Sequence, residues 1–236
     1  MVETLVRKKW WSFIKDPIFG YIHINNLERE IIDTKVVQRM RRIRQLAGSE
    51  YVYPGANHTR FEHSLGVMYL AGKLAENISE YLSENEIQEL RLAGLLHDIG
   101  HGPFSHVFES LLSDNLNKTH EDMTEWLVNA TELKDIIEAY GLNANKVSKL
   151  AVGKLGDKRK PFLDHFLRSA FDVDKMDYLV RDSYHTGAGY SVDVFRLIYT
   201  LDVCNGALSV NKTALYTLES FLISRVESFK SIYFHK

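Results

Sequence analysis

The sequence predicts an all-α fold, a bundle of about seven to nine helices with a small β-hairpin at its edge. Three observations carry that expectation. Apolar residues recur at steps of three and four over long stretches, as in Ile87, Leu90, Ala93 and Leu96, or in Val67, Leu70, Leu74 and Ile78. Such stretches open on capping signals; Ser83 followed by Glu86 is a capping box. Alternating apolar segments are confined to two short places, residues 16–25 and the runs flanking Asn205-Gly206.

The 236 residues, 45% of them hydrophobic, are enough to bury a substantial core without disulfides. Cys204 is the sole cysteine, which excludes a disulfide framework and a zinc-ribbon spacing and fits a reducing, cytoplasmic setting. There is no long uncharged apolar run, so no membrane span is expected, and the opening Arg7-Lys8-Lys9-Trp10-Trp11 does not read as a signal peptide. A formal net charge of −2 gives no general attraction to nucleic acid. Arg39, Arg41, Arg42 and Arg44 form a local basic run, either a solvated helix face or a contact for nucleic acid.

In chain order, Asp16 to Asn25 reads as a turn and a small strand. Asp33 is the expected N-cap of a helix over 34–46, with Val36, Val37, Met40 and Ile43 as its apolar stripe and Gly48 as its stop. A loop around Pro54-Gly55 leads to a helix opening at Arg60-Phe61-Glu62-His63, and the next runs from Ser83 towards Gly100 and Gly102. Pro103 begins a short helix to about Ser113, and Thr119 caps another. Residues 143–162 form a polar surface excursion. A helix over Phe162 to Asp182 places Asp174, Tyr178 and Arg181 on one face. A hairpin from Leu197 to Val210 and a final helix from Ala214 to Lys236 follow; that helix has no stop signal, as expected of a chain truncated there or losing order. The whole, 1–236, reads as one unit: a strand and helix lead-in over 1–50, a chemically rich core over 51–185, and hairpin plus final helix over 186–236.

The chemistry concentrates between Ala93 and His106. His97 shares the buried face of its helix with the leucines, Asp98 follows it, and His63 looks inward from its own helix. Taken singly, each is also what a core histidine bonded to a carbonyl, or a solvated acid, looks like. Adjacent imidazole and carboxylate suit a divalent cation of intermediate hardness such as Fe, Mn, Zn or Mg. His106 and Glu109 stand one turn apart and can relay a proton, and His120 falls in a first helical turn, where the positive helix end lowers an imidazole pKa.

His63, His97-Asp98 and Asp174 resemble the H…HD…D ligand set of the HD-domain metal-dependent phosphohydrolases. The longer blocks from Tyr53 to Gly66, from His97 to His106, and from Asp172 to Tyr178 with Arg181-Asp182 are similar to those of the deoxynucleoside triphosphate (dNTP) triphosphohydrolases. The likeness extends from about Asp16 to Lys236. It implies an HD-domain helical bundle that hydrolyses dNTPs to deoxynucleoside and triphosphate. It implies one divalent metal on His63, His97, Asp98 and Asp174, commonly Fe, Mn or Zn, with Mg an alternative that also accompanies the nucleotide. His101, His106, Glu109 and His120 correspond to the proton-handling cluster, Arg60, Lys175, Tyr178 and Arg225 to the triphosphate clamp, and Gln45, Leu46, Asp182 and Tyr233 to the sugar pocket. A guanine-nucleotide activator at Asp33, Gln38 and Arg41 and a homo-oligomer, dimer or tetramer, are implied as well. The chain departs from the family pattern at Glu109, where the family has Asp, at Phe229, where it has His, and at Ser12, where a lysine supports the regulator's phosphates. Two other readings stay open: another HD-type nucleotidase or pyrophosphatase, and a nucleotide-sensing or nucleic-acid-binding module that keeps the metal site.

Overall fold

The computed structural model describes residues 12–234. It opens on an antiparallel hairpin, β1 (Ser12–Asp16) and β2 (Gly20–Ile24), whose turn is closed by Asp16 Oδ1 accepting the N–H groups of Ile18 and Phe19. Helices then dominate: α1 (Asn26–Asp33), α2 (Lys35–Gln38), α3 (Arg60–Asn77), α4 (Glu84–Leu96), α5 (His106–Leu116), α6 (His120–Ala130), α7 (Glu132–Ala139), α8 (Ala144–Ala151), α9 (Val173–Thr186) and α10 (Val194–Tyr199). A second hairpin, β3 (Leu201–Cys204) with β4 (Ala207–Val210), turns at Asn205-Gly206, and α11 (Leu215–Ser228) passes into a π-turn over Phe229–Tyr233.

The centre of the bundle is α3, which packs most extensively against α4 and also against α9. The α3–α4 crossing is close because of Gly94: a Cβ there would lie 3.0 Å from Met68 Cα, Met68 N and Val67 O. Both helices feed two apolar clusters. Val67, Leu70, Leu74 and Leu90 meet Met176, Leu179 and Phe221 in one. Phe61, Leu65, Met68 and Leu95 meet Ile22, Ile31, Met40, Val128 and Val147 in the other. Each such buried side chain contributes about 1.5–3 kcal/mol by leaving water, which is what holds two helices with little amphipathic asymmetry at the centre.

The fold is the expected all-α bundle, with differences in its elements. Helix α1 fills the stretch between the expected strand and Asp33; Asn25 and Glu28 form its capping box, and Leu27, Glu28, Ile31 and Ile32 are its buried residues. Asp33 ends α1 instead of capping α2, a role taken by Thr34. The expected helix over 34–46 stops at a 3₁₀ turn, Arg39–Arg42, because the chain beyond it pairs with the approach to α3: Arg60 N donates to Ile43 O and Gln45 N to His58 O. The expected helix over 162–182 splits into a 3₁₀ turn, Pro161–Phe166, and α9, whose N-cap is Asp172. Leu197 lies in α10, so the second hairpin begins only at Leu201. No helix among the described residues is long and apolar enough to cross a membrane.

Candidate active site

His63 sits in the first turn of α3 and His97 directly after α4, so the close α3–α4 crossing brings them together. Each ring is fixed through Nδ1: His63 donates to Asp177 Oδ2 at 2.7 Å and His97 to the Gly94 carbonyl at 2.8 Å. A neutral ring protonated on Nδ1 presents a bare lone pair on Nε2. The two Nε2 atoms face each other at 3.2 Å, and Asp174 Oδ1, from the first turn of α9, lies 3.0 Å from that of His63 and 3.7 Å from that of His97. These three atoms lie within 4.8 Å of one another. Asp98 stands at the margin of this group, with Oδ1 3.5 Å from His97 Nε2 and Oδ2 3.8 Å from His63 Nε2. Two facing nitrogen lone pairs and a carboxylate demand a positive charge between them, and this nitrogen and oxygen donor set fits a divalent cation of the Fe, Mn or Zn type.

The electrostatics express the same demand. Burial works against a charged His63 ring, yet hydrogen bonds to Asp174 and Asp177 outweigh it and push its pKa up to about 10. The same imidazoles overcome the burial of Asp174 and hold its carboxyl far below the usual range. Burial likewise opposes ionisation of Asp98, but Arg60, then His97, His101 and His63, hold it well down.

Arg60 is itself buried, donating from Nη1 to Asp98 Oδ2 and from Nε and Nη2 to Ser105 Oγ at 3.0 and 2.7 Å. Ser105 and its neighbour Phe104 both adopt left-handed backbone, φ 48° and 59°. That conformation costs non-glycine residues about 1–3 kcal/mol each. The strained turn follows the His97–Gly102 segment, which Arg39 grips by donating to the carbonyls of Ile99 and His101.

These side chains line a cavity of about 670 Å³, the size of a small-molecule site. Along one wall the His120 ring stacks on His101 at 4.1 Å, and its Nδ1 donates to Glu109, which does not itself line the cavity. The His106 residue opens α5, and its side chain lies outside the described part of the structure. At another wall Asp182 accepts from Tyr233 Oη at 2.6 Å and from His58 Nε2 at 2.8 Å, beside Gln45, Leu46, Tyr178 and Phe229. Burial, and then Asp182, push the Tyr233 phenol far up, so it stays a hydrogen-bond donor.

Several sequence expectations are placed differently. Lys175 does not line the cavity; its Nζ is bound to Asp172 at 2.6 Å. Arg225 is also absent from the lining, although its charge is felt by Tyr178. Arg181, expected to share a site face with Asp174 and Tyr178, turns into the core and is fully buried. Arg168 lines the cavity as an exposed cation that sequence reasoning passed over. Away from the cavity lining, Asp33 is exposed, while Gln38 bridges the Ile32 carbonyl and Arg41 Nε, and Arg41 lies 3.6 Å over the Phe61 ring. His58, Ser105, Arg39 and Asp177 were also missed. Only Asp177 carried a usable signal, its spacing of three from Asp174 on a helix.

Comparison with known proteins adds an independent line. The HD domain model matches residues 60–182. The chain is 40% identical over 225 residues to the deoxynucleoside triphosphate triphosphohydrolase SAMHD1 of Bos taurus, covering 81% of this chain and 38% of that protein. It is 36% identical over 247 residues to the SAMHD1 homolog of Dictyostelium discoideum, covering 97% and 47%. The chain thus spans less than half the length of these relatives. Among solved structures it resembles a hypothetical protein from Aquifex aeolicus with a TM-score of 0.87 at 37% identity, covering 95% of this chain and 60% of that one. A phosphohydrolase from Bacteroides thetaiotaomicron gives 0.83 at 34% identity, covering 95% and 55%.

Proposed function

The chain belongs to the HD-domain family, and from that premise we propose that it is a metal-dependent phosphohydrolase which splits dNTPs into deoxynucleoside and triphosphate. The observation that carries the reading is the pair of imidazole Nε2 atoms 3.2 Å apart beside Asp174, on the wall of a cavity that Arg60 and His120 also line, with Glu109 bonded to His120.

His63, His97 and Asp174, with Asp98 completing the set, would hold the cation. A divalent ion there supplies a Lewis acid for phosphate oxygens and lowers the pKa of water. The chain's own groups do the rest. Arg60, pre-aimed by Ser105, offers N–H donors to a phosphate oxygen. The reaction adds water across the bond between the α-phosphorus and the 5′-oxygen, so one proton must leave water and one must reach the leaving oxygen. His120, oriented by Glu109 through Nδ1, has its Nε2 free to carry one of these protons, and His106 is the candidate donor to the 5′-oxygen. Asp182 and Tyr233 form the polar floor for a sugar, and Tyr178 stands between it and Asp174. Phe229 on this wall cannot hydrogen-bond a base, so base selection rests on shape and stacking there. In the same reading the chain works as a cytoplasmic homo-oligomer, and Asp33, Gln38 and Arg41 receive a guanine nucleotide that activates it.

Chromatographic analysis of the phosphate products tests this, using purified protein with Mn²⁺ or Fe²⁺, each of the four dNTPs, and GTP as control. Triphosphate plus deoxynucleoside is expected. Release of pyrophosphate or orthophosphate would reassign the reaction to another nucleotide phosphohydrolase, and absence of any product with dGTP added would overturn the enzyme reading.

A further inference from the structure

The largest fully buried side chain of the described molecule is a charged one. Arg181 is 0% exposed. Its Nε and Nη2 donate to Asp177 Oδ2 and Oδ1, both at 2.8 Å, and its Nη1 donates to Asp16 Oδ2 at 2.9 Å. Asp16 closes the β1–β2 turn with its other oxygen. Asp177, also 0% exposed, uses Oδ2 a second time, to accept the Nδ1–H of His63 at 2.7 Å. The chain of contacts therefore runs from the first hairpin through Asp16, Arg181 and Asp177 to His63.

The pair is pressed onto the backbone of α3. A Cβ on Gly66 would lie 1.8 Å from Asp177 Oδ1 and 2.4 Å from Arg181 Nη2, so only glycine lets this carboxylate reach His63. Burying such ions brings little net stability, because desolvation offsets the attraction, and well-packed apolar residues serve as well or better. What apolar residues cannot do is accept a proton from an imidazole. Arg181 donates to both oxygens of Asp177, so the carboxylate is fixed in place and Oδ2 faces His63 as the acceptor.

We propose that Asp177 is a positioning residue for the metal centre: it keeps His63 protonated on Nδ1, with the Nε2 lone pair directed at His97 and Asp174, and is itself fixed by Arg181 and Asp16. This rests on the metal-binding reading above. Asp16 belongs to the site through this chain although it touches neither cation nor substrate. Ligand histidines tied in this way to a carboxylate hold their metal about 10–100-fold more tightly than those without the tie.

The experiment measures Zn²⁺ affinity by chelator competition and reads the His63 tautomer from ¹H–¹⁵N correlations of the imidazole. Zn²⁺-loaded wild type should show a protonated Nδ1; a deprotonated Nδ1 overturns the proposal. Wild type that binds no Zn²⁺, Mn²⁺ or Fe²⁺ at all would instead refute the metal reading itself. Asp177→Leu/Arg181→Met removes the acceptor together with the guanidinium it would strand, leaves Asp16 its bonds from the Ile18 and Phe19 N–H groups, and should bind Zn²⁺ about 10–100-fold more weakly with the Nδ1–H signal lost. Asp177→Asn keeps a carbonyl oxygen for His63 and should retain that signal and most of the affinity; a merely structural ion pair predicts that Asn fares no better than Leu/Met. Wild-type affinity in the folded double variant overturns the proposal. Should the double variant not fold, the Asn variant decides: an absent Nδ1–H signal there, with wild-type Zn²⁺ affinity, overturns it, and a retained signal supports it.

Discussion

One methyl group added at Gly94 should loosen the metal centre while leaving the chain folded. The Cβ of Gly94→Ala would lie 3.0 Å from Met68 Cα and N and from Val67 O, and none of these backbone atoms can swing aside. Carbon contacts become comfortable near 3.4–3.5 Å, so α3 and α4 must part by about 0.4 Å. His63 rides on one helix and His97 on the end of the other, with Nε2 atoms 3.2 Å apart. Metal–ligand distances tolerate only about 0.2 Å. Overpacking costs about 1–3 kcal/mol, and the better helix propensity of alanine returns about 1 kcal/mol. The net loss is about 0–2 kcal/mol, a Tm lower by no more than about 8 °C for a chain of this size. Calorimetry should find that modest drop, and competitive titration an Mn²⁺ affinity at least tenfold weaker. Wild-type Mn²⁺ affinity together with a raised Tm would refute the argument that the helix crossing sets the histidine spacing.

Three further outcomes are expected. Mn²⁺ at about 100 times its Kd should stabilise the wild type by about 2.7 kcal/mol, a Tm rise of roughly 5–11 °C. Asp174→Ala should show no rise, and an equal rise there would place the ion elsewhere. The variant His120→Ala should keep its metal by elemental analysis yet lose about 10²–10⁴-fold of turnover; an empty site would mean that His120 supports the ion instead of handling a proton. Glu28→Gln breaks the buried Glu28–Arg91 pair, 2.6 Å long and joining α1 to α4, and should cost about 3–5 kcal/mol by denaturant melt. Its Mn²⁺ affinity at low temperature should match wild type, and a large loss would show that α1 helps set the site.

Much of the centre was legible in sequence because it is carried by regular elements. The helical lines through His63 and through His97 follow from period alone, the Ser83 capping box marks where the helix leading to His97 begins, and the Thr119 cap marks the start of α6. What period does not encode is which partner a side chain takes. Arg181 reads as a site cation at i+7 from Asp174, but it is held inward by Asp177 four residues before it and by Asp16 from the hairpin, 165 residues earlier. Lys175 looks like a phosphate ligand until Asp172, buried as the cap of α9, claims it. The helix expected over 34–46 failed for a comparable reason, since Ile43 and Gln45 give their backbone groups to the segment entering α3. Ser105 left no trace at all, because its role comes from a left-handed turn and an arginine 45 residues away.

The grip of Arg39 on the carbonyls of Ile99 and His101 has a consequence for how the molecule breathes. Two carbonyls of one tight turn share a single guanidinium, so opening the turn takes both acceptors from Arg39 and loosens its tie to the 3₁₀ segment that carries it. The His101 amide, bonded to Asp98 O, and the Ile43 amide, bonded to Met40 O, therefore belong to one cooperative unit of local unfolding despite their separation along the chain. Hydrogen exchange of these two amides is therefore expected to be correlated, exposure of the Asp98 backbone accompanying release of the arginine-rich segment beside α2.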